Sequence, residues 1–395
     1  MNKQPQGKTN AGYEGNGRRF RVEKLLAAAV RDMAQSRTED AILQFVADYT
    51  YRITLASLAV VFTPDPDGWL RARARQGEGQ LYLEERRINV AGGIGLAAAA
   101  LSGERTLCHA ADGPCPPETD PLRWRAWRER AAAHGFRWLV LVPIRYKNRS
   151  LGLVNYYTSR REQPSAAGRE AVENMALVAA GALHGLRLRE ETLLTLTRAL
   201  EARDDETQAH ARRVALYTQR LAEEVGVRDP EEAQFLRWGA LLHDVGKIGL
   251  SDAVLRKPGP LTPEEWREVI RHPRTGYHLL ADLEFLGGAR EIVLAHHERW
   301  DGSGYPGGLR GRAIPLGARI FTVVDAFDAM TSDRPYRRAV SVAAAASELR
   351  RAAGTQFDPD VVDAFGRIGE GEWENLRRQA EAGFFSPFGS AGGPG

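Results

Sequence analysis

The chain has 395 residues, 43% hydrophobic and 27% charged, a balance that suits a globular protein with more than one core. Its net charge of +3 resides in the first 19 residues, where Lys3, Lys8, Arg18 and Arg19 face only Glu14, so the remainder is neutral and bulk charge gives no ground for nucleic-acid binding. No apolar run is long enough to span a bilayer, the N-terminus has no signal-peptide core, and two cysteines, Cys108 and Cys115, suit a reducing compartment. These features predict a cytoplasmic protein without membrane insertion.

Residues 1–18 are polar and Gly/Asn-rich, and residues 383–395 are rich in Gly, Pro and Ser; both are expected to be disordered tails. A helix is predicted over 38–53, where Ile42, Phe45, Val46, Tyr49 and Ile53 share a face and Ser36 with Glu39 offers a capping box. Strands are predicted at 56–62, 69–75, 138–146 and 150–159, the last two joined as a hairpin by Lys147-Asn148-Arg149. Pro143 calls for an edge position or a bulge. The spacing of Cys108, His109 and Cys115 matches no metal motif, and Trp124 and Trp127 on an Arg-rich helix are expected to pack on the sheet or to form a binding surface.

A long connecting helix is predicted over 170–203. Leu186, Leu193 and Leu200 recur every seven residues along it, with Leu196 between the last two. Such a pattern suits a parallel homodimer seam, and equally suits leucines that pack on their own domains.

From about 190 to 375 the pattern is helical. Thr262 as N-cap, Pro263 at the first helical position and Glu264 and Glu265 at the positive end of the dipole mark one start. Six of the nine histidines fall between 210 and 297: His210, His243, His272, His278, His296 and His297. A lone helical histidine is ordinarily structural, and His278, without a partner, is read so. The others come in company: His243 beside Asp244, His272 before Pro273, His296 beside His297, and Asp325 in the apolar stretch RIFTVVDAFDAM. Glu206 and His210, four apart, would share a helix face. Imidazole and carboxylate together suit iron, manganese or zinc, and Asp244 is the candidate bridge between two ions. Lys247, three residues after Asp244, is predicted on the same helical face, next to a phosphate or simply at an exposed helix end.

The order of helix, two strands, variable middle, hairpin and closing helix, ending in LVLVPIRYKNRSLGLVNYYTSRREQPSAAGREAVENMALVAAGAL, resembles a GAF domain over residues 19–185. The motifs HDVGKIG, RHP, HHERWDGSGYPGG and VVDAFDAMTSDRPYRRA resemble the HD-GYP subgroup of the HD superfamily of metal-dependent phosphohydrolases, over about 190–375. The resemblance implies two domains: an α+β sensor with an antiparallel sheet flanked by helices, then an all-α helical bundle, joined by a long helix. It implies hydrolysis of cyclic di-GMP, to pGpG or on to GMP, at two or three divalent ions, iron or manganese. It implies His243, Asp244, His272, His296, His297 and Asp325 as metal ligands, with Glu206 and His210 adding a third metal. Asp244 and Lys247 would be catalytic; Lys247, Gly304, Tyr305, Pro306, Arg334 and Arg337 would face substrate. Alternatives are a non-catalytic cyclic di-GMP receptor and a phosphohydrolase for another cyclic dinucleotide or nucleotide. The sensor's ligand is not specified.

Overall fold

The computed structural model describes residues 11–382 except 66, 79–86, 91–92, 94, 104, 205–209 and 334–337. The tail 383–395 lies outside these residues. Two units divide the chain, Met1–Arg187 and Leu188–Gly395.

In the first unit, helices α1 (Ala11–Gln35) and α2 (Glu39–Thr54) precede strands β1 (Leu58–Pro64), β2 (Trp69–Gly77) and β3 (Arg87–Asn89). Residues 11–18, expected in a structureless tail, are the first turns of α1. The cap of α2 also differs from the expected box: Thr38 accepts from the Ala41 amide, while the Ser36 hydroxyl donates back to the Asp32 carbonyl. After β3 come α3 (Leu96–Gly103), β4 (Leu107–Ala110), α4 (Pro121–Ala133), β5 (Trp138–Tyr146) and β6 (Arg149–Thr158).

The six strands form one antiparallel sheet in the order β3-β2-β1-β6-β5-β4. The β5–β6 hairpin closes between paired Tyr146 and Arg149, with Lys147 taking positive φ at its tip. Pro143 lies in a strand with neighbours on both sides, yet β4 ends opposite Leu141, so the missing N–H costs no ladder bond there; a bulge follows between Ile144 and Arg145. Both faces of the sheet are covered. Val61, Val140 and Val154 pack with Ile42, Val46, Met175 and Ala179 on one side; Val60, Phe62, Leu141 and Leu153 pack with Ala97, Ala100 and Ala131 on the other. Double covering explains why β1 reads as an unbroken apolar run. Trp124 is buried and stacks on Trp127 at 4.6 Å, on the helix side of the second core.

Helix α5 (Ala166–Asp204) begins in the first unit and ends in the second. Leu186 and Leu193 are buried in the cores of their own units, and Leu200 packs on the same core as Leu193; Leu196 is exposed. Leu186, Leu193 and Leu200 thus pack within their own units.

The second unit is helical, among its described residues, apart from one isolated β-bridge between Ala353 and Phe357: α6 (His210–Val225), α7 (Pro230–Leu242), α8 (Asp252–Leu255), α9 (Pro263–Val269), α10 (His272–Leu279), α11 (Gly287–Ala295), α12 (Leu316–Thr331), α13 (Val342–Arg351), α14 (Pro359–Arg367) and α15 (Glu370–Glu381), with short 3-10 turns between some of them. Tyr217, Phe321, Phe327, Phe365 and Trp373 centre its core. Helix α9 starts as its sequence predicts, with Thr262 and Glu265 exchanging both capping-box bonds and Pro263 at the first position.

Candidate metal centre

Four histidines stand at helix ends. His210 opens α6, His243 follows the last residue of α7, His272 opens α10, and His296 follows the last residue of α11. The segment HDVGKIG does not continue α7 as an α-helix: Val245–Gly249 is a 3-10 helix. Residues three apart eclipse in that geometry. Lys247 Nζ therefore meets Asp244 Oδ2 at 2.8 Å, by a different route from the α-helical face predicted. The turn is pressed against α10 so closely that a Cβ at Gly246 would lie 1.9 Å from the His272 carbonyl oxygen, and only glycine fits.

Three of these rings are oriented in the same way. Nδ1 of His243 lies 2.9 Å from the Ala240 carbonyl, Nδ1 of His272 2.7 Å from that of Val269, and Nδ1 of His296 2.8 Å from that of Val293. A carbonyl only accepts, so each Nδ1 carries the proton. The bonds satisfy helix-end carbonyls and turn each Nε2 the other way, into the site.

The Nε2 atoms converge on Asp244. His243 lies 3.0 Å from Oδ2; His272 lies 3.2 Å and His296 3.9 Å from Oδ1. His297 is tilted over His296 at 4.1 Å and edge-on to His272 at 5.1 Å. Two ligand sets result, each with its donor atoms within 4.8 Å of one another: Asp244, His272, His296 and His297 in one, and His210, His243 and Asp325 in the other. The adjacent pair His243–Asp244 links them.

The donor set fits cations. Nε2 of His272 and Nε2 of His296 are 3.2 Å apart and both turn toward Asp244 Oδ1. Burial pushes His297 down to about 3, with His272 adding to the effect, and burial likewise holds His296 well below the usual histidine range. Neutral imidazoles are ligands, not ion-pair partners. Burial alone would raise the Asp244 carboxyl, but His243 and Lys247 outweigh it and keep it ionised.

His210 has a support that the sequence reading overlooked. Its Nδ1 lies 2.8 Å from Asp328 Oδ2, which turns Nε2 toward Asp325 Oδ1 at 3.7 Å. Asp328 also takes two bonds from Arg213, at 2.5 and 2.9 Å, and all three residues are buried. Burial would raise Asp328, yet the bonds from His210 and Arg213 hold it down at about 2. The available signal was spacing: Arg213 is three residues after His210, and Asp328 three after Asp325.

The glycine-rich loop folds back on the site. Buried Glu298 accepts from the Gly307 amide at 2.6 Å and the Leu309 amide at 2.9 Å. Gly304 is required by close approach: a Cβ there would lie 2.4 Å from the Arg299 amide nitrogen. The Tyr305 ring packs on the His297 ring at 4.7 Å, and half-exposed Trp266 stands edge-on beyond it at 6.1 Å. Burial pushes the Tyr305 phenol up to about 12. The Pro306 carbonyl accepts from Arg274 at 3.1 Å. Of the predicted site residues, Glu206, Arg334 and Arg337 lie outside the described residues. The other seven ligand positions form the two donor sets, and Lys247, Gly304, Tyr305 and Pro306 lie beside them as described.

Comparison with known proteins follows this division. Residues 195–361 match the HD domain family and residues 36–184 the GAF domain family. The chain is 41% identical over 240 residues to a cyclic di-GMP phosphodiesterase response regulator, RpfG, of Xanthomonas campestris, covering 60% of this chain and 63% of that protein. It is 40% identical over 193 residues to a cyclic di-GMP phosphodiesterase of Thermotoga maritima, covering 48% and 52%. It is 39% identical over 176 residues to a 3'3'-cGAMP-specific phosphodiesterase 2 of Vibrio cholerae, covering 44% and 34%. The chain thus spans less than two thirds of the length of each of these relatives. HD domains bind divalent metal, in keeping with the donor sets. No described helix is long and apolar enough to cross a membrane. The chain joins an N-terminal GAF domain, its antiparallel sheet flanked by helices, to a C-terminal helical HD domain.

Proposed function

We propose that this protein hydrolyses cyclic di-GMP at the HD domain under control of the GAF domain. The observation that carries the reading is the pair of donor sets sharing the His243–Asp244 junction. In this reading His272, His296 and His297 would hold one ion, His210, His243 and Asp325 would hold another, Asp244 would be shared between them, and Glu206 would add a third site. Iron and manganese suit the mixed imidazole and carboxylate set. When bound, such ions lower the pKa of water and neutralise charge on a phosphodiester.

The protein's own groups do the rest. Nδ1–H bonds to backbone carbonyls keep the Nε2 atoms of His243, His272 and His296 aimed inward without cost at the moment of binding. Lys247, held beside Asp244, supplies a cation for a phosphate oxygen. Arg334 and Arg337 add guanidinium contacts to phosphate or guanine. Gly304, Tyr305 and Pro306 form a wall of the substrate pocket, pinned by Glu298 and Arg274. The sensor comprises residues 19–185, the connecting helix 170–203 and the enzyme 190–375, in a cytoplasmic protein.

Metal analysis of protein purified with and without oxygen, combined with turnover of cyclic di-GMP in Mn²⁺ or Fe²⁺ and separation of pGpG from GMP, tests the reading. Tight binding without turnover in any metal would leave a receptor. A second reading, action on another cyclic dinucleotide, is favoured by the relative named for 3'3'-cGAMP, and competition between the two substrates decides it.

A further inference from the structure

The end of α5 presents a stripe of buried polar side chains to the metal-bearing elements of its own unit. Glu190, Thr197 and Glu201, at i, i+7 and i+11, lie along one helical face. Glu190 pairs with Arg237 of α7 at 2.5 Å, both fully buried. The Thr197 hydroxyl donates to the Leu241 carbonyl at 3.1 Å, two residues before His243. Glu201 accepts from the Ala211 amide at 3.0 Å, one residue after His210.

Arg203 completes the contact. Its guanidinium pairs with Asp252 at 2.8 Å and donates to the carbonyls of Ile248 at 3.1 Å and Leu250 at 2.6 Å, and at 3.5 Å to that of Lys247. Arg256 in turn donates to the Arg203 carbonyl at 2.8 Å. The 3-10 turn that carries Lys247 has few helical bonds of its own, and one side chain from α5 ties its exit. A cavity of about 30 Å³ separates these groups from the ligands and is lined by Glu201, Arg203, His210, His243, Asp244 and Lys247.

We propose that Glu201 and Arg203 are positioning residues of the metal centre, Glu201 setting the start of α6 and thereby His210, and Arg203 setting the turn that carries Asp244 and Lys247. The proposal rests on the metal-centre reading above. Neither residue touches a reacting group; each acts through the backbone of a segment that does. Helix α5 itself starts in the first unit.

The test uses the full chain with Mn²⁺ as the probe, its affinity and stoichiometry read by electron paramagnetic resonance, beside cyclic di-GMP kinetics and melting temperature. Glu201→Ala weakens Mn²⁺ binding by about tenfold or more, as loss of a group that orients a ligand does, and Glu201→Gln, which keeps an acceptor for Ala211, restores most of it. Arg203→Ala lowers kcat more than it raises KM, and added guanidinium recovers part of the loss. Unchanged Mn²⁺ affinity in Glu201→Ala together with unchanged kcat in Arg203→Ala overturns the proposal. So do losses that merely track the melting temperature, with no recovery by glutamine or guanidinium. If the unaltered protein binds Mn²⁺ but hydrolyses no cyclic dinucleotide, the proposed activity fails while the Mn²⁺ affinities still decide the role of Glu201.

Discussion

His272 and His296 face each other Nε2 to Nε2 across 3.2 Å, each with its proton committed to a backbone carbonyl on the opposite side of the ring. Both nitrogens belong to one donor set, within reach of a single cation. Stripping the protein with a chelator and adding back Mn²⁺ therefore raises its melting temperature by several degrees, since a ligand bound only by the folded state stabilises it. His296→Ala removes most of that gain. Differential scanning fluorimetry with and without metal reads both outcomes.

Asp328 takes a ring N–H and a two-pronged guanidinium in a buried setting. Asp328→Ala leaves Arg213 as an uncompensated buried charge and costs about 3–5 kcal/mol. It also frees the His210 ring, so Mn²⁺ stoichiometry falls while the first donor set stays loaded. Urea unfolding and metal analysis of one preparation separate the two effects.

Glu190 of α5 and Arg237 of α7 form a second buried ion pair. Arg237→Met alone strands Glu190 and lowers stability by about 3–5 kcal/mol, whereas replacing both with Leu and Met returns most of it. A double-mutant cycle in denaturant shows whether the pair couples as the geometry requires.

Glu298 fastens the glycine-rich loop through two amides. Glu298→Gln presents an N–H₂ group where an acceptor is needed, leaving one amide unsatisfied. The loop then becomes the first cleavage site in limited proteolysis, and KM for cyclic di-GMP rises about tenfold or more, by analogy with other groups that orient a site.

The two cysteines differ in reactivity. Burial raises the Cys108 thiol above its usual range, while Cys115 is exposed. The thiolate is the reactive form, so a raised pKa delays its appearance to higher pH. Iodoacetamide at neutral pH labels Cys115 first, and Cys108 gains on it as the pH rises; peptide mass spectrometry gives the order.

The legible parts of this chain were those where one local rule settles the matter. The β5–β6 hairpin and the cap of α9 followed from alternation, turn chemistry and capping, and the fold class from the resemblance of the motifs to GAF and HD-GYP sequences. The histidines were recognisable by type and company. Their placement at helix ends was not, because the Nδ1–carbonyl bonds that orient them arise only once a helix stops. Asp328 and Arg213 escaped notice because their pairing joins α6 to α12 across 115 residues, and its local trace is only a three-residue spacing from Asp325 and from His210. The α2 cap was misplaced by two residues because Ser36 and Thr38 both qualify chemically, and the choice depends on where α1 stops.

The position of the ligands at helix termini has a kinetic consequence. Terminal turns are where helices open first, on free energies far below that of global unfolding. In this protein each such opening withdraws an imidazole from the cluster. Amide hydrogen exchange near residues 210, 243, 272 and 296 therefore slows together when metal is bound, and the rate at which an ion leaves is set by the fraying of short helices.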